Sequence, residues 1–248
     1  TVVSLEWCQE RCDTLGFLSH VFDGQALEVG KNVLDKRWPM VAQYVTVVRS
    51  RGKVITLKER LLHVVRPEWN VQVRRPSFLE NVGIQDFKLE FPETRYRGHL
   101  QEQGFNALYL TGLLHSYVSN VEVINADSAF LVNSSKNVLL DEIIVRGRQG
   151  HHSVKIGSSN DVLVKGAELA APFVHNPSFD TGAELNVFTG ATIHEARLDQ
   201  HNGLNQQNLF DHLEIDMQDI GRLLDHGGAA YWRPAAGAFN TFWNIEVN

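Results

Sequence analysis

Four stretches decide the fold: NVLLDEIIV (137–145), NDVLVKGAEL (160–169), NVFTGATI (186–193) and NLFDHLEI (208–215). They are one pattern written four times. Aligned, they place Leu140, Val164, Phe188 and Phe210 in one apolar column. Three residues on stand Ile143, Ala167, Ala191 and Leu213, and two further Val145, Leu169, Ile193 and Ile215. Working outward, the columns continue upstream through Ile84, Phe87 and Leu89 and through Val118, Val121 and Val123, and downstream through Phe242, Ile245 and Val247. The period is 22 or 24 residues, with two longer gaps of 34 and 32 that imply inserted loops. A fixed period of this size with one short apolar strand per unit marks a solenoid, whose units bury their apolar faces against their neighbours.

A second strand falls in each interval: NALYL (106–110), SAFLV (128–132), HSVKI (152–156), PFVHN (172–176), ARLDQ (196–200) and GRLLD (221–225). These align on Leu108, Leu131, Val154, Val174, Leu198 and Leu223. Two strands per unit predict an all-β parallel β-helix with coils of about 22–24 residues, stacked about 4.8 Å apart. A leucine-rich repeat is excluded because no Leu-x-x-Leu-x-Leu frame or helical half-repeat occurs. Asparagine precedes the first strand at Asn81, Asn137, Asn160, Asn186, Asn208 and Asn240. The expected role is a coil corner, since Asn tolerates the left-handed conformation and its amide can bond to neighbouring coils.

The regular helix is expected over residues 76–248. Residues 1–75 read as an irregular segment with the first coils, in one domain cut from a longer chain. Within it, SLEWCQERCDTLGF has the helix-like spacing Leu5, Cys8, Cys12, Leu15, whereas VAQYVTVV, KVITL, LLHVV and NVQVRR read as strands. Cys8 and Cys12 lack metal-ligand partners at suitable spacing and are expected to be free. At 248 residues and 43% hydrophobic, the chain can bury a large core. A net charge of −6 with no Lys/Arg run argues against nucleic acid as the main partner, and no apolar run is long enough to span a membrane.

Chemistry concentrates in one region, because seven of the eleven histidines fall between His151 and His226. The strand alignment puts Lys155, His175 and Asp199 in one outward column on successive coils, with Arg197 and Arg222 alongside. Imidazole beside carboxylate and ammonium is equipment for proton transfer near neutral pH. These five residues are the expected catalytic set. The expected substrate-binding set is His99, Glu102 and Asn106 around the first long gap, Tyr109, His152, Asp180 and His201 beside the strip, and Tyr231 and Trp232 as aromatic platforms. No cofactor or metal is called for, since no HxH or HExxH pattern occurs. Zinc on His151, His152, His175 or His201 and calcium on Asp180, Asp199 and Asp211 are the alternatives.

The coil pattern, with GFNALYL, SYVSNVEVINADSAFLV, GHHSVKIG, FVHN and NTFWNI, resembles bacterial right-handed β-helix proteins of the broad pectate-lyase-like class. The resemblance covers residues 76–248. It implies carbohydrate chemistry, a polysaccharide or oligosaccharide partner, and an extracellular or periplasmic setting. The leading expectation is cleavage of an acidic polysaccharide by β-elimination. His175 or Lys155 would take the proton alpha to the uronate carboxyl group, Asp199 would orient His175, and Arg197 and Arg222 would stabilise the enolate-like charge. The alternatives are a glycoside hydrolase using Asp199 with Asp180 or Glu102, and a non-catalytic glycan-binding or structural helix.

Overall fold

The computed structural model describes residues 1–7, 16–21, 41–201, 204–224 and 236–248. Its main body is a parallel β-helix whose long sheet stacks Gly83–Glu90, Leu113–Ile124, Lys136–Asp141, Asn160–Lys165, Val187–His194, Leu209–Asp216 and Thr241–Val247. The first column of the repeat is a ladder in register: Ile84, Val118, Leu140, Val164, Phe188, Phe210 and Phe242 are successive partners. The third column, Leu89 to Val247, pairs the same way through Val123, Val145, Leu169, Ile193 and Ile215.

The spacing of three between the first two columns has a backbone cause. One residue per coil between them takes the left-handed conformation: Asp86, Asn120, Glu142, Gly166, Gly190, His212 and Asn244, all with φ between 48° and 63°. A flat strand would alternate every two residues; the left-handed residue bends the strand so that both arms face one core. A second left-handed residue opens each coil, at Asn81, His115, Asn137, Asp161, Leu185, Gln207 and Phe239.

The asparagines divide accordingly. Asn81 and Asn137 are left-handed corners, as expected. The others form an internal ladder: the Asn186 side chain donates to Asn208 Oδ1 and the Asn208 side chain to Asn240 Oδ1, each at 3.0 Å. Asn160 Oδ1 accepts from the Tyr44 amide at 2.6 Å. Buried amides stacked this way satisfy one another and the backbone between coils.

The short sheet stacks Asn106–Thr111, Ser128–Asn133, Gly150–Gly157, then Phe173–His175 with Ser178–Phe179, and finally Asp199–Gln200. Here the register differs from the sequence alignment. Phe130 pairs with Leu108 and Val154, while Leu131 pairs with Tyr109 and Lys155. The next inward slot is filled by Phe179, which pairs with Ile156, and not by Val174. Phe179 fills more of the core, and Pro177, which lacks a ladder donor, separates it from His175. The described part of GRLLD, residues 221–224, forms no strand: Ile220–Arg222 is a short 3-10 helix.

The described residues before 76 do not add coils. Val54–Leu57, Val41–Arg51, Val2–Trp7 and Gln72–Arg74 form an antiparallel sheet in that order. The helix-like spacing around Leu5 loses to a period of two: Val3, Leu5 and Trp7 all point into a buried cluster with Phe17, Val21, Val41, Val45 and Trp69. LLHVV forms no strand, because the Gln43 side chain takes its backbone, accepting from Leu62 N–H and donating to Arg60 C=O. Leu204 of the β-helix packs into the same cluster. Cys8 and Cys12 lie outside the described residues.

Candidate functional site

The site grows from the strand Gly150–Gly157. Gly150 lets the chain approach closely; a Cβ there would stand 2.6 Å from the Ala126 carbonyl oxygen and clash with Cε1 of Phe173. His152 pairs with His175 on the next coil and Lys155 with Ser178, which pairs in turn with Asp199. Lys155 and Asp199 therefore do share one column, which also holds Tyr109 and Leu131; His175 belongs to the neighbouring column with Asn106, Ser128 and His152. The sequence alignment had His175 one column off, yet the two columns converge.

The convergence is a cluster of imidazoles. His151 stacks on His152 at 4.2 Å between ring centroids, and His152 on His175 at 4.7 Å. His201 meets His175 edge-on at 4.8 Å. From residues 91–105, which fill the first long gap, His99 reaches His151 edge-on at 4.6 Å. Carboxylates hold the rings. Asp199 Oδ2 lies 2.9 Å from His175 Nδ1 and 3.3 Å from His201 Nδ1, and accepts from Ser178 Oγ at 2.8 Å. Glu102 Oε1 lies 3.2 Å from His151 Nδ1, and accepts from the Tyr96 hydroxyl and the Leu100 amide at 3.0 Å each. Lys155 is ion-paired with Asp180.

Burial sorts these groups. His175 and Asp199 are 3% and 0% exposed, so they do not form a solvated face as the alternation suggested. The rings and Ser178 cover them. The Lys155 side chain keeps 31% of its surface and the His151 side chain 16%. Burial alone would raise the Asp199 carboxyl, but His175 and His201 outweigh it and hold Asp199 well below the usual carboxylate range. Burial works against protonated His201, yet Asp199 and then Asp180 keep its pKa above the ordinary value. Burial first, and then the charge of His175, push His151 down to about 4 despite Glu102.

Other expected residues stand apart. Arg197 donates to the Val174 carbonyl at 3.3 Å, and its backbone pairs with Asn176. Arg222 is exposed in the 3-10 turn and forms no ion pair with the cluster. Asn106 opens the first strand of the short sheet and Tyr109 is 63% exposed on it. Asp211 stands on the long sheet, so it does not join Asp180 and Asp199 of the short sheet. Tyr231 and Trp232 lie outside the described residues. A groove of about 360 Å³ on the long sheet, lined by Glu168, His194 and Asp216 among others, is a separate feature. Its titratable groups are open to solvent, unlike those of the cluster.

The sequence offers His151 only as an alternative zinc ligand and not as a catalytic or substrate-binding residue. Its place beside His152 in GHHS was visible, but the chain alone did not show that Glu102, 49 residues earlier, would meet its Nδ1. Among the described residues, two groups of three donors have metal-binding proximity: His99, His151 and His175, and His175, Asp199 and His201. Fold and site together define a parallel β-helix solenoid with a histidine–carboxylate cluster on its short sheet. No protein-family model, no curated protein and no solved structure matches this chain.

Proposed function

We propose that this protein cleaves an acidic polysaccharide by β-elimination at the histidine cluster. The observation that carries the reading is the pair His151–Glu102 beside Lys155: an imidazole with one nitrogen held by a carboxylate, next to a partly exposed ammonium. A uronate needs both, a base for the proton alpha to its carboxyl group and a cation for the charge that spreads onto that group. The base is His151 and not the expected His175, whose side chain keeps 4% of its surface and cannot reach a polymer as readily. His151 takes the C5 proton and Lys155 stabilises the carboxylate. The electron pair forms the C4–C5 double bond as the glycosidic C4–O bond breaks, and His99 gives the leaving oxygen its proton. The products are a new end on one fragment and an unsaturated uronate on the other.

Tyr109 supports a polymeric substrate. It lies in the same column as Lys155, two coils away, or about 10 Å along the helix axis. An exposed ring at that distance is a platform for a neighbouring sugar. The hydrolase alternative has less support, because Asp199 is fully buried, Asp180 is held by Lys155, and Glu102 is held by Tyr96, Leu100 and His151. The test is incubation with a panel of uronic-acid polysaccharides, following ultraviolet absorbance of unsaturated products and, in parallel, reducing ends. Rising absorbance supports elimination. Reducing ends without absorbance mean hydrolysis, and silence in both with glycan bound means a binding module.

A further inference from the structure

We propose that His175, Asp199 and His201 form a binding site for one divalent first-row transition-metal ion. One donor atom from each residue lies within 4.8 Å of the other two. The separations from Asp199 Oδ2, 2.9 Å to His175 Nδ1 and 3.3 Å to His201 Nδ1, match two ligands on one ion. Ligands about 2.1 Å from a shared metal, at right-angled to tetrahedral separations, stand about 3.0 to 3.4 Å apart.

The independent observation is the poor alignment with which these buried nitrogens meet Asp199. Both Nδ1 atoms are buried, and neither makes an in-line hydrogen bond although the carboxylate is close. His175 Nε2 is buried without a partner too. A buried polar atom without a well-aligned partner is costly and uncommon in a folded protein, and a metal ion would lie along the in-plane Nδ1 directions that pass beside the carboxylate oxygen. The donor set of two imidazoles and one carboxylate suits Zn²⁺, Mn²⁺, Fe²⁺, Co²⁺ or Ni²⁺, whereas Ca²⁺ asks for six or more oxygens. Ser178, bonded to Asp199 Oδ2, would orient the carboxylate as an outer partner. The other donor group shares His175 but depends on exposed His99, so the buried group is the better organised. This inference does not rest on the reaction proposed above.

The test is calorimetric titration of the chelator-stripped whole chain with Zn²⁺ and with Mn²⁺, plus the visible spectrum with Co²⁺. The expected result is one ion per chain and a ligand-field spectrum from nitrogen–oxygen coordination. His201→Ala should weaken binding by more than the roughly 10- to 100-fold that loss of an outer partner costs. His99→Ala should leave it unchanged. A metal-induced rise in melting temperature should appear in the wild type and vanish in His201→Ala. Asp199→Asn, which keeps shape and removes charge, serves as the second variant should His201→Ala fail to fold. No stoichiometric uptake by the wild type would overturn the proposal. So would uptake that survives His201→Ala and Asp199→Asn, or that is lost in His99→Ala.

Discussion

His151 illustrates how burial and partnership divide roles among like residues. Its ring is braced by Glu102 and stacked on His152, yet its side chain stays partly open. His151→Ala should lower turnover by about 10²- to 10⁴-fold, the range for a general base, while polymer binding persists. Glu102→Gln should lower it less, because the ring stays stacked. Arg222→Ala should change turnover little, since this residue is exposed and forms no ion pair with the cluster. A second residue-scale effect lies at Glu184, which is fully buried and accepts from Gln206 at 2.6 Å; Gln206 Nε2 also lies 2.7 Å from His63 Nε2. Burial pushes Glu184 up to about 8 from 4.5, despite the amides of Gln206 and Asn160. Between those values the native chain keeps a proton that the unfolded chain releases. Stability from this group is thus lost as pH rises, by up to about 1.4 kcal/mol per pH unit. His63 runs the other way: burial and then His20 lower it to about 4, so stability rises from there to 6.5. The wild type should lose stability relative to Glu184→Gln between pH 6.5 and 8, read from denaturant midpoints. Equal slopes would contradict the assignment.

At the scale of elements, the long sheet was legible and the short sheet only partly so. Seven strands of the long sheet repeat with one bend residue each, so Ile84 to Phe242 align by apolar identity alone. The short sheet has no such regularity: Phe130 and Phe179, not Leu131 and Val174, take the inward slots, and Pro177 divides one strand. Side-chain size and a missing ladder donor decided this, and neither shows in a column of Leu and Val. The grouping of Lys155, His175 and Asp199 survived because coil stacking brings neighbouring columns within reach. Two substitutions test these elements. Gly150→Ala should destabilise by about 1 to 3 kcal/mol, since the new Cβ meets backbone that cannot yield easily. Asn208→Ala should cost about 1 to 3 kcal/mol, because it removes the acceptor of the Asn186 backbone amide and one donor each from the Ala183 carbonyl and Asn240 Oδ1. Chemical denaturation reads both. A change within about 0.5 kcal/mol for Asn208→Ala would mean the ladder is ornamental.

Across the whole molecule, two levels of organisation meet at the site. The β-helix supplies a rigid stack in which neighbouring coils set the distances between side chains. Residues 91–105, absent from the regular period, supply Tyr96, His99 and Glu102. A repeat can be read from sequence, but an insertion carries no period to place it, which is why the Glu102–His151 contact was invisible. The N-terminal antiparallel sheet was misread as coils for a related reason, since strands with similar residues can pair either way. Tyr109, on the same outer column as Lys155, gives the surface a direction along the axis. Tyr109→Ala should raise KM about tenfold with kcat nearly unchanged, as expected of a remote binding contact. The most direct measurement is the initial rate of unsaturated-uronate formation by wild type and His151→Ala on the same acidic polysaccharide, with polymer binding measured for both. The predicted result is a clear rate for the wild type, a near-complete loss in the variant, and equal binding. Equal rates in the two proteins, or none in the wild type across the panel, would contradict the account.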